Sequence, residues 1–153
     1  MTHLLLRWLL ATLHLLALPL GLAAIGNRSR ALRRTRSAAD LPAVFVADNL
    51  WGAAAILWIV TGLLRAFGGF EKGSGYYLHD RVFHVKMDLL VLILLFEVWP
   101  MATLIRWRIK VRRALPVDTS PAAALARIST VQAVLVVAMV FAATALARGF
   151  FYG

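Results

Sequence analysis

Residues 82–105 read VFHVKMDLLVLILLFEVWPMATLI, and this stretch decides the fold. Its middle, Leu89 to Phe96, is unbroken hydrocarbon and aromatic side chain. The whole run reaches the ~20 residues that a helix needs to cross a bilayer core. It does not alternate as a lipid-facing barrel strand must, so a helix is the spanning solution. Within it stand His84, Lys86, Asp88 and Glu97. A charge near the centre of a bilayer costs ~2.5–3.5 kcal/mol even on the lenient insertion scale, so these groups must find partners or polar surroundings.

Working outward, three further apolar runs cover about residues 4–25, 43–64 and 128–148. The third span itself extends to about 78–105 if its helix begins beside Tyr76 and Tyr77, aromatic residues suited to a membrane interface. The chain has 153 residues, 61% hydrophobic and 16% charged, with a mean hydropathy of +0.78. A soluble domain is about half apolar and about a quarter charged. A water-soluble globule and a disordered chain are both excluded by these values. No cysteine is present, which removes disulfides, thiolate metal sites, Cys nucleophiles and iron–sulfur clusters. The expectation is an all-α integral membrane four-helix bundle, one domain over residues 1–153.

Charge placement predicts its orientation. Arg28, Arg30, Arg33, Arg34 and Arg36 follow the first span, and Arg106, Arg108, Lys110, Arg112, Arg113 and Arg127 follow the third. Only Arg7, Arg65, Lys72, Arg81 and Arg148 fall on the opposite side. The positive-inside rule then puts both basic loops in the cytoplasm and both termini outside. This asymmetry explains the net charge of +10 without a nucleic-acid partner; the expected partner is the lipid bilayer, joined by a second copy or a membrane protein. Gly21, Ala23 and Ala24 resemble a signal-cleavage region. The dense arginine run after them predicts an uncleaved span instead.

Polar residues inside the spans are the candidate functional groups: His14 on the first, Asp48 and Asn49 on the second, His84, Lys86, Asp88 and Glu97 on the third, and Gln132 on the fourth. His84 and Asp88 are spaced i,i+4 on one helix face, so the carboxylate can orient the imidazole. Lys86 and Glu97 share a stripe but lie ~16 Å apart along the axis, too far to touch. Asp48, Glu97 and Gln132 can share one polar layer, and Asp48, Asp88 and Glu97 are candidates for a proton relay or for support of a ligand. His14 and His84 are candidate metal ligands, and equally candidate interhelical hydrogen-bond donors. The pairs Ala17/Gly21 and Ala138/Ala142 predict close helix approach, and Pro19 and Pro100 predict kinks. The glycine-rich stretch 67–75 predicts an outer turn and lacks the features of a phosphate loop. His3 and His79 offer a weak outer metal site.

The segment ADNLWGAAAILWIVTGLLRAFGGFEKGSGYYLHDRVFHVKMDLLVLILLFEVWPMATLIRWR, residues 47–108, resembles the signature region of a bacterial membrane family catalogued as domain of unknown function 2214. More distantly, Leu13–His14, the run Phe83–His84–Val85–Lys86 and the segment opening at Ala126 resemble the four-helix, haem-linked protoporphyrinogen oxidase family and the copper-resistance D-type membrane proteins. That distant resemblance implies haem b between spans one and three. His14 and His84 would ligate the iron, with Arg65, Lys86 or Arg148 as propionate partners and Asp88 behind His84. The oxidase's Met-Glu-Arg motif is replaced here by Ala47–Asp48–Asn49. Both histidines can serve one iron only if they lie at similar depth. Three readings follow: a non-catalytic accessory or structural protein, a haem b redox protein using His14 and His84, and a transport module for copper or another ion.

Overall fold

The structure, a computed structural model, describes residues 2–68 and 81–147. It contains four long helices: α1 (Thr2–Arg34), α2 (Leu41–Phe67), α3 (Arg81–Arg112) and α4 (Ala122–Ala147), with a short 3₁₀ turn at Ala38–Asp40 before α2. All four are long and apolar enough to cross a membrane. Helices are the required form here, because hydrocarbon offers no partner for an unbonded peptide group. The exposed side chains say the same: Leu4 is 74% exposed and Phe141 72%, a distribution suited to lipid rather than water. The expected glycine-rich turn beyond Gly68, the Tyr76–Tyr77 belt, and Lys72, His79 and Arg148 lie outside the described residues.

The helices overrun the apolar spans, and this corrects the expected loops. Arg28, Arg30, Arg33 and Arg34 belong to α1, and Arg106, Arg108, Lys110 and Arg112 belong to α3. A 33-residue helix is about 50 Å long, against about 30 Å of hydrocarbon. Arginine is a good helix former, so nothing stops either helix where its apolar run stops. The turn after α1 is closed by Asp40, whose Oδ2 accepts the backbone N–H of Arg36 at 2.8 Å and of Ser37 at 3.0 Å. Pro42 then occupies the first turn of α2, where a missing N–H costs nothing.

At the end of α3 the N–H of Ala114 donates to the carbonyl of Val111, and that of Leu115 to the carbonyl of Lys110. This is a Schellman cap, and Pro116 follows it. The left-handed position, φ 52°, is held by Ala114, where a side chain costs ~1–2 kcal/mol that glycine avoids. Ala114→Gly is therefore expected to raise the stability of the purified protein by about 1 kcal/mol. An unchanged or lowered thermal midpoint would contradict this. In the next loop Asp118 accepts the N–H and Oγ–H of Ser120, both at 2.9 Å. These bonds hold its carboxyl below the usual carboxylate range.

In the bundle α1 packs against α2 and α4, and α4 against α3. On α1 the small residues Ala17, Gly21 and Ala24 are buried. A Cβ on Gly21 would lie 3.5 Å from Trp51 and 3.6 Å from Ala54, ordinary contact distances that mark how closely α2 approaches. Two apolar layers form the core. One, near the arginine-rich end, gathers Leu32, Leu41, Leu104, Trp107 and Leu125. The other gathers Ile25, Trp51, Ile93, Val136 and Met139. A polar layer lies between them.

Candidate functional site

Residues 17, 21, 24, 28 and 32 recur at three- and four-residue intervals and form the buried stripe of α1. Arg28 sits on that stripe, so the helix carries its guanidinium inward, and the residue is 0% exposed. Its Nε donates to Ser129 Oγ at 3.1 Å. Nη1 donates to Asp48 Oδ1 at 2.8 Å and to Glu97 Oε1 at 2.7 Å. Nη2 donates to Glu97 Oε2 and to Gln132 Oε1, both at 2.8 Å. A guanidinium has five N–H donors, and all are used. The acceptors come from the other three helices, so one side chain joins the whole bundle.

The acceptors are themselves held. Glu97 Oε2 also accepts from Trp51 Nε1 at 3.1 Å and from Gln132 Nε2 at 2.7 Å. Gln132 Nε2 donates in addition to the carbonyl of Ile93. Asp48 Oδ2 accepts from Arg108 Nη2 at 2.9 Å, and the Arg108 guanidinium lies 4.6 Å from the centre of the Phe45 ring. Two arginines and two carboxylates bring the formal charge of the cluster to zero. These side chains also bridge α2 and α3. Desolvated charges cost several kcal/mol each, so such a cluster is tolerable only when its hydrogen bonds are complete, as here.

Asp48, Glu97 and Gln132 thus meet in one layer with Arg28 set between the two carboxylates. Asp88 is not among them. It lies exposed on α3, about 13 Å from Glu97 along the axis. Arg28, Arg108, Trp51 and Ser129 were not legible as site residues. The two arginines stand beside other arginines in sequence and read as solvated charge. The signal that singles out Arg28 is its register with the small residues Ala17, Gly21 and Ala24.

A second polar place lies nearer the other end of the bundle. His14 Nδ1 is 2.9 Å from Thr61 Oγ1 and 3.1 Å from the carbonyl oxygen of Trp58. Its ring stacks on Trp58 with centroids 5.7 Å apart. A carbonyl only accepts, so Nδ1 carries the proton in that bond. Trp58 Nε1 is buried with no acceptor among the described residues. His84 is exposed on α3, and Lys86 and Arg65 are half-buried. Helix register sets their depths: His14 lies about 21 Å along its helix from Arg28, and His84 about 20 Å from Glu97, on the same side. His14 bonds at the level of Thr61, whereas Phe83, the neighbour of His84, meets Phe67, about 9 Å further along α2. Among the described residues no cluster of three or more metal-binding side chains occurs.

Gly62 tests the His14 packing. A Cβ there would sit 3.0 Å from His14 Cε1, and nothing lies within 4 Å of one added at Gly26 or Gly52. The imidazole is pinned by its stack and its hydrogen bonds and has little room to yield. Gly26→Ala and Gly52→Ala are expected to stabilise by up to ~1 kcal/mol through helix propensity. Gly62→Ala is expected to destabilise, by about 1 kcal/mol or more, through overpacking. Equal gains at all three sites in thermal melts would show that His14 is not held there.

The chain matches no curated protein and no solved structure. A family model described as predicted membrane protein (DUF2214) matches residues 6–151. That range takes in nearly the whole of the four helices, the Arg28 cluster, His14 and His84, and so the chain belongs to the DUF2214 family of predicted membrane proteins.

Proposed function

We propose that this protein is a non-catalytic accessory or structural component of the bacterial inner membrane, with its arginine-rich end in the cytoplasm and both termini outside. The observation that carries the reading is the complete use of Arg28: each of its donors ends on another helix of the same chain. A relay or a transport site keeps polar valence for its cargo, whereas this cluster spends its valence on itself. Buried polar groups of this kind serve best to fix register and pairing. The test is complementation of a deletion strain together with spectroscopy of the purified protein. His14→Ala and His84→Ala variants are expected to restore the strain, and the protein to be colourless and free of stoichiometric copper. A folded His14→Ala variant that fails to complement would overturn the reading.

A second reading is haem b binding, and the His14 layer favours it. The Nδ1–H bond to the Trp58 carbonyl fixes the tautomer in which Nε2 is the ligating atom. The Trp58 Nε1–H, buried with no acceptor among the described residues, offers a donor to an acceptor placed nearby. In this reading His14 and His84 would hold the group, Thr61 would help orient His14, and Lys86 and Arg65 carry charge suited to propionates. Bound haem would supply one-electron exchange. A Soret band lost in both His14→Ala and His84→Ala would establish this reading in place of the first.

A further inference from the structure

At the arginine-rich end an open groove of about 740 Å³ lies between α1 and the start of α2. Arg30 and Arg34 line it from α1, one turn apart on the same face, and Arg30 Nη1 is braced by Asn27 Oδ1 at 3.1 Å. The opposite wall is apolar and small: Ala39, Pro42, Ala43 and Ala47. Asp40 also reaches the groove, but its Oδ2 is engaged by the backbone N–H groups of Arg36 and Ser37.

The surface below the groove changes character in one direction. Along α1 the stripe runs Arg34, Arg30, Asn27, Ala23, Leu20, all exposed, with Leu20 at 60%. On α2 the facing stripe continues from Ala43 to Val46 and Leu50, 60% and 57% exposed. Two cations therefore sit over a hydrocarbon track at the end of the bundle that the positive-inside pattern assigns to the inner leaflet. This is the shape and polarity of an anionic amphiphile. Arginine pairs phosphate oxygens through a planar fork, and basic pockets at that depth attract anionic headgroups.

We infer that the α1/α2 groove is a binding site for an anionic phospholipid, with Arg30 and Arg34 holding its phosphate and Leu20, Val46 and Leu50 lying along its acyl chains. Arg33, which faces α4 and donates to Thr130 Oγ1, is outside the site.

The test uses the full chain reconstituted in mixed phosphatidylglycerol and phosphatidylcholine nanodiscs, released, and weighed by native mass spectrometry with its retained lipid. The wild type is expected to retain phosphatidylglycerol in preference to phosphatidylcholine. In the Arg30→Gln/Arg34→Gln variant that preference falls at least fivefold. Arg112→Gln/Arg113→Gln removes the same charge from exposed positions at the end of α3 and is expected to keep it. An unchanged preference in the first variant overturns the proposal. An equal loss in the second does so too, because it would show diffuse attraction to basic surface. Both substituted pairs are exposed, so unchanged thermal midpoints confirm that lipid retention is compared between folded proteins.

Discussion

Arg28→Met is expected to destabilise the bundle by about 3–5 kcal/mol, the range found when one partner of a buried ion pair is removed. The loss comes less from the missing attraction than from what stays behind. Asp48 and Glu97 would remain in the interior with their principal cation gone, and Ser129 and Gln132 would each lose a guanidinium bond. Asp48 would retain Arg108, so Glu97 is the more severely stranded group. Equilibrium unfolding in mixed detergent micelles would measure the effect. Arg28→Lys is expected to recover only part of it, since a lysine has three donors on a point charge and cannot reproduce the fork to Glu97. The control is the triple variant Arg28→Met/Asp48→Asn/Glu97→Gln, which removes the stranded charges and is expected to regain most of the lost stability. A single variant within about 1 kcal/mol of wild type would mean that the cluster does not hold the helices together.

Glu97→Leu is expected to cost nearly as much, about 2–4 kcal/mol, for the complementary reason. Glu97 accepts from three side chains on three helices, Arg28, Trp51 and Gln132, and its Oε2 takes a bond from each. Leucine suits the lipid but leaves these buried donors unpaired, and an unpaired buried donor costs ~1–3 kcal/mol. Glu97→Gln is not a mild change either. Its amide must set N–H groups against donors at one of the two positions now held by oxygen. The Trp51 bond gives an independent readout. A double-mutant cycle between Trp51→Phe and Glu97→Leu is expected to show coupling of ~1 kcal/mol. Additive effects, or a Glu97→Leu variant as stable as wild type, would mean that Asp48 alone balances Arg28.

The two predictions bear on different parts of what the sequence carries. That residues 82–105 span a membrane as a helix follows from length, composition and the absence of alternation, because hydrocarbon admits only helices and closed barrels and a barrel strand must alternate. Four such runs, with their basic ends in common, determine a four-helix bundle before any contact is known. The sequence also marks Asp48, Glu97 and Gln132 as out of place in lipid, and marks His14 for the same reason. Composition cannot say which of seventeen basic residues meets those carboxylates. Besides Arg28 and Arg108, nine others on the same side serve equally well to orient the chain, and residue type within the run Asn27-Arg28-Ser29-Arg30 does not distinguish the second residue from the fourth.

Tertiary structure makes that distinction. α1 continues past its apolar run, and its buried stripe carries Arg28 inward while Arg30, two residues on and about 200° around the helix, faces the groove beside α2. One becomes the bond centre of the interior and the other a surface cation over an apolar track. The register of α1 against α3 is fixed in the same way, with the Arg28–Glu97 pair joining the two helices. Hydrophobicity is a property of each segment and can be read along the chain. Partner choice depends on helix rotation and axial offset, which are settled only when all four helices pack and every buried donor must find its acceptor.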